Sequence, residues 1–250
     1  MLGYRIHGQG PNLIVMLHGW LSDCSVYDII IPYFDPKVYS IALADYPGYG
    51  RSRQLEGPFT IVRLADEVVA LTQHLGWQNS AIVSHSMGGM VILEASLKVP
   101  GLFRHGIAIT PVTASGFPLD TDTMAFFRSA AKDDAALANI FGSLTGNRHS
   151  ASFGRLCAER AREQTTTPAF LAYLDAWTGT IFRDRVGKIT LPTTVIAGRH
   201  DGALTPDHLQ STWLKDVPNS VMKVIEGAGH YPMLETPVEL VDLIEAIVAA

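Results

Sequence analysis

Residues 81–89 read Ala-Ile-Val-Ser-His-Ser-Met-Gly-Gly, an apolar run that leads to a serine and continues into a pair of glycines. The run has the composition of a buried β-strand, and the glycines open a stretch with helical spacing. A serine at such a corner lies in a strained turn, which needs small residues two positions before and after it. Ser84 and Gly88 meet that need, so the stretch predicts a nucleophile at Ser86 on a strand-to-helix turn. A structural, serine-rich turn is the alternative.

A serine hydroxyl needs a histidine to take its proton and a carboxylate to orient that histidine. Two downstream loops offer the pair: Asp201 follows an apolar run at 193–197, and His230 follows another at 221–225. The loops after parallel strands meet at one edge of a sheet. Taken singly, the aspartate fits a turn or a helix cap, and the histidine fits a packed loop. Their order along the chain, Ser86 then Asp201 then His230, favours a catalytic triad.

The attacked carbonyl oxygen needs backbone N–H groups around it. Met87 directly follows the candidate nucleophile and supplies one such group. Another apolar run ends in His18-Gly19-Trp20, and this turn predicts the second donor at the Trp20 N–H. His18 is interpreted as a hydrogen-bonding residue of the turn rather than as a base, and it is also included among the predicted substrate contacts.

Short apolar runs closed by Gly or Pro alternate with longer amphipathic stretches, which is typical of an α/β fold with a mostly parallel central sheet flanked by helices. Thr60 predicts the start of a helix that continues to Gly76. Further helices are predicted from Gly88 to about Lys98 and from Pro237 to the C-terminus. The predicted strands are residues 12–17, 38–43, 80–83, 106–109, 193–197 and 221–225.

Between residues 111 and 188 this alternation lapses. The segment holds no strand candidate, and its helix-like stretches at 134–144 and 168–181 are interrupted by Gly and Pro. We therefore predict one core domain formed by residues 1–110 and 189–250, with residues 111–188 inserted as a helical cap. This insertion is called the cap segment below.

The aromatic side chains of the cap segment mostly fit helix cores, and some of them are expected to line an apolar substrate site. An aromatic residue near the candidate triad but outside the cap segment is expected to line the same site. The predicted substrate contacts are His18, Phe126, Phe127, Trp177 and Tyr231.

Composition removes several classes of function. The formal net charge is -5 and the isoelectric point is near 6.0, so the chain as a whole does not attract nucleic acid or an anionic membrane. No apolar run approaches the roughly 18 residues of a membrane span, and the N-terminal residues lack the pattern of an export signal. Two cysteines allow neither a disulfide framework nor a zinc cluster. We expect a cytoplasmic protein with no nucleic-acid partner, no membrane partner and no metal.

Five stretches carry a resemblance to a known family: LHGW at 17–20, DYPGYGRS at 45–52, SHSMGG at 84–89, AGRHD at 197–201 and GAGH at 227–230. Together they resemble the α/β-hydrolase superfamily in its capped, single-domain form. The resemblance implies the α/β-hydrolase fold and a serine hydrolase of the carboxylic ester type that uses no cofactor. It implies a small-molecule substrate, either a small or medium ester, a lactone or a related carbonyl compound, and a monomer or homodimer. The scaffold hosts many reactions, so the motifs do not specify the substrate.

Other activities remain as alternatives. The serine-rich elbow also resembles that of cofactor-free dioxygenases, which cleave heteroaromatic rings with a histidine base. Those enzymes carry their acid after the strand that corresponds to residues 106–109, where residues 110–112 of this chain contain no carboxylate. A carbon–carbon bond hydrolase and a ligand-binding receptor with slow turnover are further candidates. The Gly-rich stretch at 45–52 lacks the Gly-Lys-Ser/Thr ending of a phosphate loop.

Overall fold

A computed structural model describes residues 1–249. The strands in this part of the chain are β1 (Tyr4–His7), β2 (Asn12–Leu17), β3 (Tyr39–Ala44), β4 (Ser80–His85), β5 (Phe103–Ile109), β6 (Thr193–Gly198) and β7 (Ser220–Ile225). The α-helices are α1 (Ile61–His74), α2 (Gly88–Lys98), α3 (Thr121–Ser129), α4 (Asp134–Leu144), α5 (Ala151–Gln164), α6 (Thr167–Gly179), α7 (Pro206–Ser211), α8 (Trp213–Asp216), α9 (Pro232–Glu235) and α10 (Pro237–Ala249). Short 3₁₀ turns occupy Cys24–Tyr27, Ile31–Tyr33, Gly50–Ser52 and Arg183–Lys188.

The strands form one sheet in the order β1-β3-β2-β4-β5-β6-β7, in which every neighbouring pair except β1 and β3 is parallel. The predicted α/β fold with a mostly parallel sheet is confirmed. Strands β3, β4 and β6 are buried along their whole length, as expected of parallel strands covered on both faces, and this explains their continuous apolar sequences. The loops after β4, β6 and β7 therefore start from the same edge of the sheet.

Local signals predict six of the seven strands and five of the ten α-helices in the described part of the chain, and they miss α3, α5, α7, α8 and α9. Helix α2 covers the predicted residues, and α1 begins after Thr60, whose Oγ1 accepts the N–H of Arg63 at 3.3 Å. Gly76 follows the end of α1 with a φ of +68°, which glycine adopts without strain. Helix α10 begins at Pro237 as predicted.

The errors among the strands concern one edge strand and the starts of two interior strands. Strand β1 has no counterpart among the predicted strands, because a four-residue edge strand with Arg5 and His7 shows no apolar run. Strand β3 begins at Tyr39 rather than at residue 38. Strand β5 begins at Phe103, three positions earlier than predicted, because polar side chains at its start interrupt the apolar pattern while the backbone already pairs with β4.

The cap segment contains α3, α4, α5 and α6 and, among the described residues, no named strand. Helix α4 has the predicted bounds, whereas α6 ends at Gly179, two residues before the predicted end. One isolated β-bridge joins Thr165 of this segment to Tyr49. The helical content agrees with the predicted cap, while the division of the chain into core and cap stays a prediction.

The Gly-rich stretch at 45–52 is held by its own aspartate. Asp45 is buried, its Oδ1 accepts the Cys24 N–H at 2.6 Å, and its Oδ2 accepts the Arg51 N–H at 2.9 Å. The side chain thus joins two loops at the sheet edge, which is a structural role. Among residues 1–249, none of the helices combines the length and apolar character needed to cross a membrane.

Candidate active site

Ser86 occupies the corner between β4 and α2. Its φ is +53°, a left-handed conformation that costs energy in a residue with a side chain. The Ser86 N–H donates to the Ile109 carbonyl at 2.9 Å, and its own carbonyl accepts from Val112 N–H at 2.9 Å. A Cβ added at Gly88 would lie 2.8 Å from the Cβ of Ser84, so only small residues fit on both sides of the serine. The turn therefore has the strained, tightly packed form that the sequence predicts.

The three residues of the predicted triad lie in one hydrogen-bonded chain. Nε2 of His230 is 3.0 Å from Oγ of Ser86, and Nδ1 of His230 is 2.7 Å from Oδ2 of Asp201. The other carboxylate oxygen of Asp201 accepts the N–H groups of Ala203 and Leu204, each at 2.9 Å. All three triad residues are buried. The arrangement is that of a nucleophile, a base and a group that orients the base.

The two predicted oxyanion donors flank the serine. Met87 follows Ser86 at the start of α2, and Trp20 follows Gly19, where an added Cβ would lie 2.9 Å from the Cβ of Ser86. Within residues 1–249, neither the Trp20 N–H nor the Met87 N–H donates a hydrogen bond to another backbone or side-chain atom. Both groups are therefore free to bind an anionic oxygen, as an oxyanion site requires.

His18 is not among the residues that line the cavity beside Ser86 and His230, contrary to its predicted substrate contact. Its ring is fully buried against Tyr46, with ring centroids 4.5 Å apart. Nδ1 donates to the Gly19 carbonyl at 2.8 Å, and Nε2 accepts the Tyr46 N–H at 3.0 Å. Burial lowers the pKa of His18, which keeps the ring neutral and suits this pair of bonds. The side chain thus joins two loops, as the structural interpretation of His18 predicts.

A cavity with about 480 Å³ of empty space, part of which is open to solvent, is lined by Ser86 and His230. Its wall is mostly aliphatic and aromatic, and none of the described lining side chains is an Asp, Glu, Lys or Arg. Burial also raises the pKa of Tyr231 well above its ordinary value, so that its phenol stays neutral. The aromatic residues of the wall are Trp20, Phe117, Phe127, Trp177 and Tyr231.

The predicted substrate contacts divide into two groups. Phe127, Trp177 and Tyr231 line the cavity, and the ring of Phe127 stacks on Trp20 with centroids 5.8 Å apart. Phe126 does not line it, and its side chain is 40% exposed. Helical geometry explains the difference, because consecutive residues of α3 face directions about 100° apart.

Several lining residues have no signal in the sequence. Phe117 belongs to the aromatic residues of the cap segment, but it lies in an irregular stretch before α3. Leu144 ends α4, and Leu204 lies in the loop after Asp201. None of them follows a periodic pattern that would mark it as a cavity residue, because they meet only when distant loops converge.

His85 is a further buried residue beside the triad. Its Nε2 lies 2.8 Å from the carbonyl oxygen of His230, and Thr110 Oγ1 donates to the same oxygen at 3.0 Å. Burial and the neighbouring His230 ring lower the pKa of His85 well below its ordinary value. The backbone carbonyl of the candidate base is therefore held by two side chains, from β4 and from the residue after β5.

A family model described as the alpha/beta hydrolase fold matches residues 12–237. The chain belongs to the α/β-hydrolase fold family. Membership confirms the superfamily that the sequence motifs predict. It accounts for the strand order and for the position of Ser86 between β4 and α2, but it does not by itself name a substrate.

Similar proteins span nearly the same length. The pimeloyl-[acyl-carrier protein] methyl ester esterase of Legionella pneumophila (strain Paris) is 29% identical over 238 residues, which cover 91% of each chain. The bromoperoxidase from Bacillus anthracis superposes with a TM-score of 0.88 at 21% identity, covering 99% of this chain and 95% of the other. The esterase EaEST from Exiguobacterium antarcticum gives a TM-score of 0.87 at 18% identity, covering 100% and 96%. The two structures share the fold, and their different names show that the fold does not decide the reaction.

Proposed function

We propose that this chain is a serine hydrolase that cleaves a carboxylic ester or lactone with an apolar acyl group, through an acyl-enzyme at Ser86. The observation that carries the proposal is the chain of hydrogen bonds from Ser86 through His230 to Asp201, placed at the floor of an uncharged cavity. The similarity to a methyl ester esterase supports the ester class. The arrangement supplies each group that acyl transfer needs.

In the proposed reaction, Nε2 of His230 takes the proton of Ser86 as Oγ attacks the carbonyl carbon. The carbonyl oxygen gains negative charge and accepts hydrogen bonds from the Trp20 and Met87 N–H groups. Asp201 accepts the Nδ1–H of His230, so the ring keeps the tautomer that leaves Nε2 free. Its second oxygen is held by two backbone donors, which fixes the carboxylate toward the histidine.

The second half of the reaction uses the same groups in reverse. The imidazolium of His230 gives its proton to the departing alkoxide, and the alcohol leaves. A water molecule then loses a proton to Nε2 and attacks the acyl group on Ser86. Breakdown of the second tetrahedral intermediate returns the proton to Oγ and releases the carboxylic acid. The chain's own side chains supply every proton transfer in this sequence.

The substrate class follows from the cavity. A charged acyl group would lose its hydration in a cavity whose described wall carries no opposite charge, which costs several kcal/mol. An apolar acyl group gains instead about 25 cal/mol for each Å² that it buries. Phe127 and Trp177 come from the cap segment, so we propose that this segment acts as a cap and sets the acyl preference.

The test is turnover of p-nitrophenyl esters from acetate to decanoate by the purified protein, beside Ser86→Ala. We expect release of nitrophenol that depends on Ser86, with the variant slower in kcat by about 10⁶, since removal of a triad serine has that effect. An optimum within the series would give the length of the acyl site. If Ser86→Ala kept more than about a tenth of the activity, Ser86 would not be the nucleophile.

A further inference from the structure

Glu235 is a buried carboxylate that follows His230 by one short turn. It ends α9, and its side chain is only 1% exposed. Oε2 accepts the N–H of Gly229 at 2.9 Å, and Oε1 accepts the N–H of Tyr231 at 2.9 Å. One carboxylate therefore binds the backbone on both sides of His230.

The same carboxylate contacts the cap segment. Nε2 of His149 lies 2.9 Å from Oε2 of Glu235, and Nη1 of Arg148 lies 3.3 Å from it. Arg148 also donates from Nη2 to the Gly227 carbonyl at 3.1 Å. Both residues lie between α4 and α5 and are about one-third exposed. The loop that carries His230 is thus bound to the cap segment through Glu235 and Gly227.

The carbonyl of His230 is fixed as well, by His85 and Thr110. The N–H groups before and after the histidine and its carbonyl between them are therefore all held by side chains. A carboxylate removed from water is costly unless several donors replace its hydration, and Glu235 has four. These hydrogen bonds therefore converge on the backbone around His230, whose ring must contact both Ser86 and Asp201.

We propose that Glu235 is a positioning residue for His230, and that Arg148 and His149 make the alignment of His230 depend on the position of the cap segment. The inference rests on the proposed function, because it takes His230 as the base. The imidazole has to meet Oγ of Ser86 and Oδ2 of Asp201 together, and displacement by about 1 Å lowers the rate of such reactions by about 10². Glu235 restrains the backbone that sets this position.

The test is Glu235→Gln. Glutamine has nearly the same shape but only one acceptor oxygen, so its amide group faces one of the two N–H groups that the carboxylate binds. We expect kcat for the preferred p-nitrophenyl ester to fall by about 10², with KM within about threefold of the parent value. The matched control is Glu226→Gln. Glu226 lies in the same loop but is exposed and pairs with Arg199, so its loss should change kcat by less than about twofold.

A measurement that does not need turnover distinguishes a positioning role of Glu235 from a purely stabilising one. We expect the Nδ1 proton of His230, which lies in the hydrogen bond to Oδ2 of Asp201, to give a low-field ¹H NMR resonance that Asp201→Asn abolishes. We expect Glu235→Gln to shift or broaden this resonance while the folded protein persists. A stabilising role alone would lower the unfolding temperature but leave the resonance and kcat per folded molecule unchanged, and that result would overturn the proposal. If no ester is turned over even by the parent protein, the proposed function fails, and the resonance still tests Glu235.

A second variant covers the case in which Glu235→Gln does not fold. Replacing Arg148 and His149 together by alanine removes two of the donors to Glu235 from a partly exposed position. We expect kcat to fall by about three- to tenfold with the fold intact, since the carboxylate keeps its bonds to the two N–H groups. Parent values of kcat and of the His230 resonance in this variant would overturn the proposal.

Discussion

Nε2 of His85 lies 2.8 Å from the carbonyl oxygen of His230, and the two rings are 4.9 Å apart between centroids. A carbonyl oxygen only accepts, so Nε2 of His85 must carry the proton. Its Nδ1 is buried and has no hydrogen-bond partner among the described residues. His85 therefore contributes to the site as a neutral donor, and a proton added at Nδ1 would be a buried, unpaired charge.

The first prediction is that stability falls in acid because of His85 and His18. Burial lowers the pKa of both rings in the folded state, while the unfolded value is about 6.5. Above that pH neither the folded nor the unfolded chain binds the extra proton, so the two histidines do not lower the free energy of unfolding. Below it the unfolded chain binds protons that the native rings exclude. Stability should then fall by up to about 1.4 kcal/mol per pH unit for each histidine.

Urea unfolding between about pH 7.5 and pH 5 measures this slope. His85→Gln keeps an N–H donor toward His230 without a titrating ring, and it should make the slope shallower. His74→Gln, at the exposed end of α1, is the control and should leave it unchanged. An identical slope in parent and His85→Gln would show that His85 takes no part in the acid sensitivity.

The second prediction concerns Asp201. Its Oδ2 accepts the Nδ1–H of His230 at 2.7 Å, and asparagine in its place favours the tautomer with the proton on Nε2. We expect Asp201→Asn to lower kcat by about 10⁴ without unfolding the protein. Asp207→Asn, an exposed carboxylate on the neighbouring α7, should behave like the parent. Parent activity in Asp201→Asn would mean that another carboxylate orients His230.

The third prediction compares two adjacent phenylalanines. Phe127 lines the cavity and stacks on Trp20, whereas Phe126 is 40% exposed and does not line it. Phe127→Ala should enlarge the acyl site, move the preferred p-nitrophenyl ester to a longer chain and lower kcat/KM for the original one by about tenfold. Phe126→Ala should leave the preference unchanged. Equal effects of the two substitutions would contradict the proposed role of the cavity as the acyl site.

The fourth prediction concerns the ion pair between Arg185 and Glu94. Glu94 of α2 is 2% exposed and accepts hydrogen bonds from Arg185 at 2.7 and 3.0 Å. Arg185→Met should lower the free energy of unfolding by about 1–3 kcal/mol, because it leaves a buried carboxylate unpaired.

The control for that ion pair is Arg155→Met. It breaks a pair with Glu159 in which both side chains are more than half exposed, and it should cost less than about 1 kcal/mol. Urea unfolding of both variants checks the difference. Equal losses of unfolding free energy in the two variants would show that burial of Glu94 does not raise the cost of removing its arginine partner.

Much of the site is predictable because its signals are local. The residues two positions before and after Ser86 have to be small, since the backbone turns sharply there, and Ser84 and Gly88 show this requirement. Asp201 follows the buried strand β6, and His230 follows β7, an edge strand whose run at residues 221–225 is apolar except for Lys223. Strand β1 escapes prediction for the opposite reason, because an edge strand of four residues has no such run.

The roles of His18 and Glu235 depend on contacts with distant parts of the chain. His18 faces the Tyr46 N–H, 28 positions away along the chain, and not the cavity. Glu235 carries no mark that separates it from an exposed helix-end glutamate, yet it is buried against Arg148 and His149 of the cap segment. Phe126 and Phe127 are the same residue type, and only the orientation of α3 distinguishes them.

The sequence by itself indicated the alternation of most core strands with helices, the turn at Ser86 and the candidate triad, because apolar periodicity and turn chemistry act over a few neighbouring residues. The tertiary structure alone decided which side chains line the cavity and which buried groups hold His230. Those properties depend on how loops from separate strands and the cap segment pack together, and packing joins residues whose spacing along the chain carries no information about their contact.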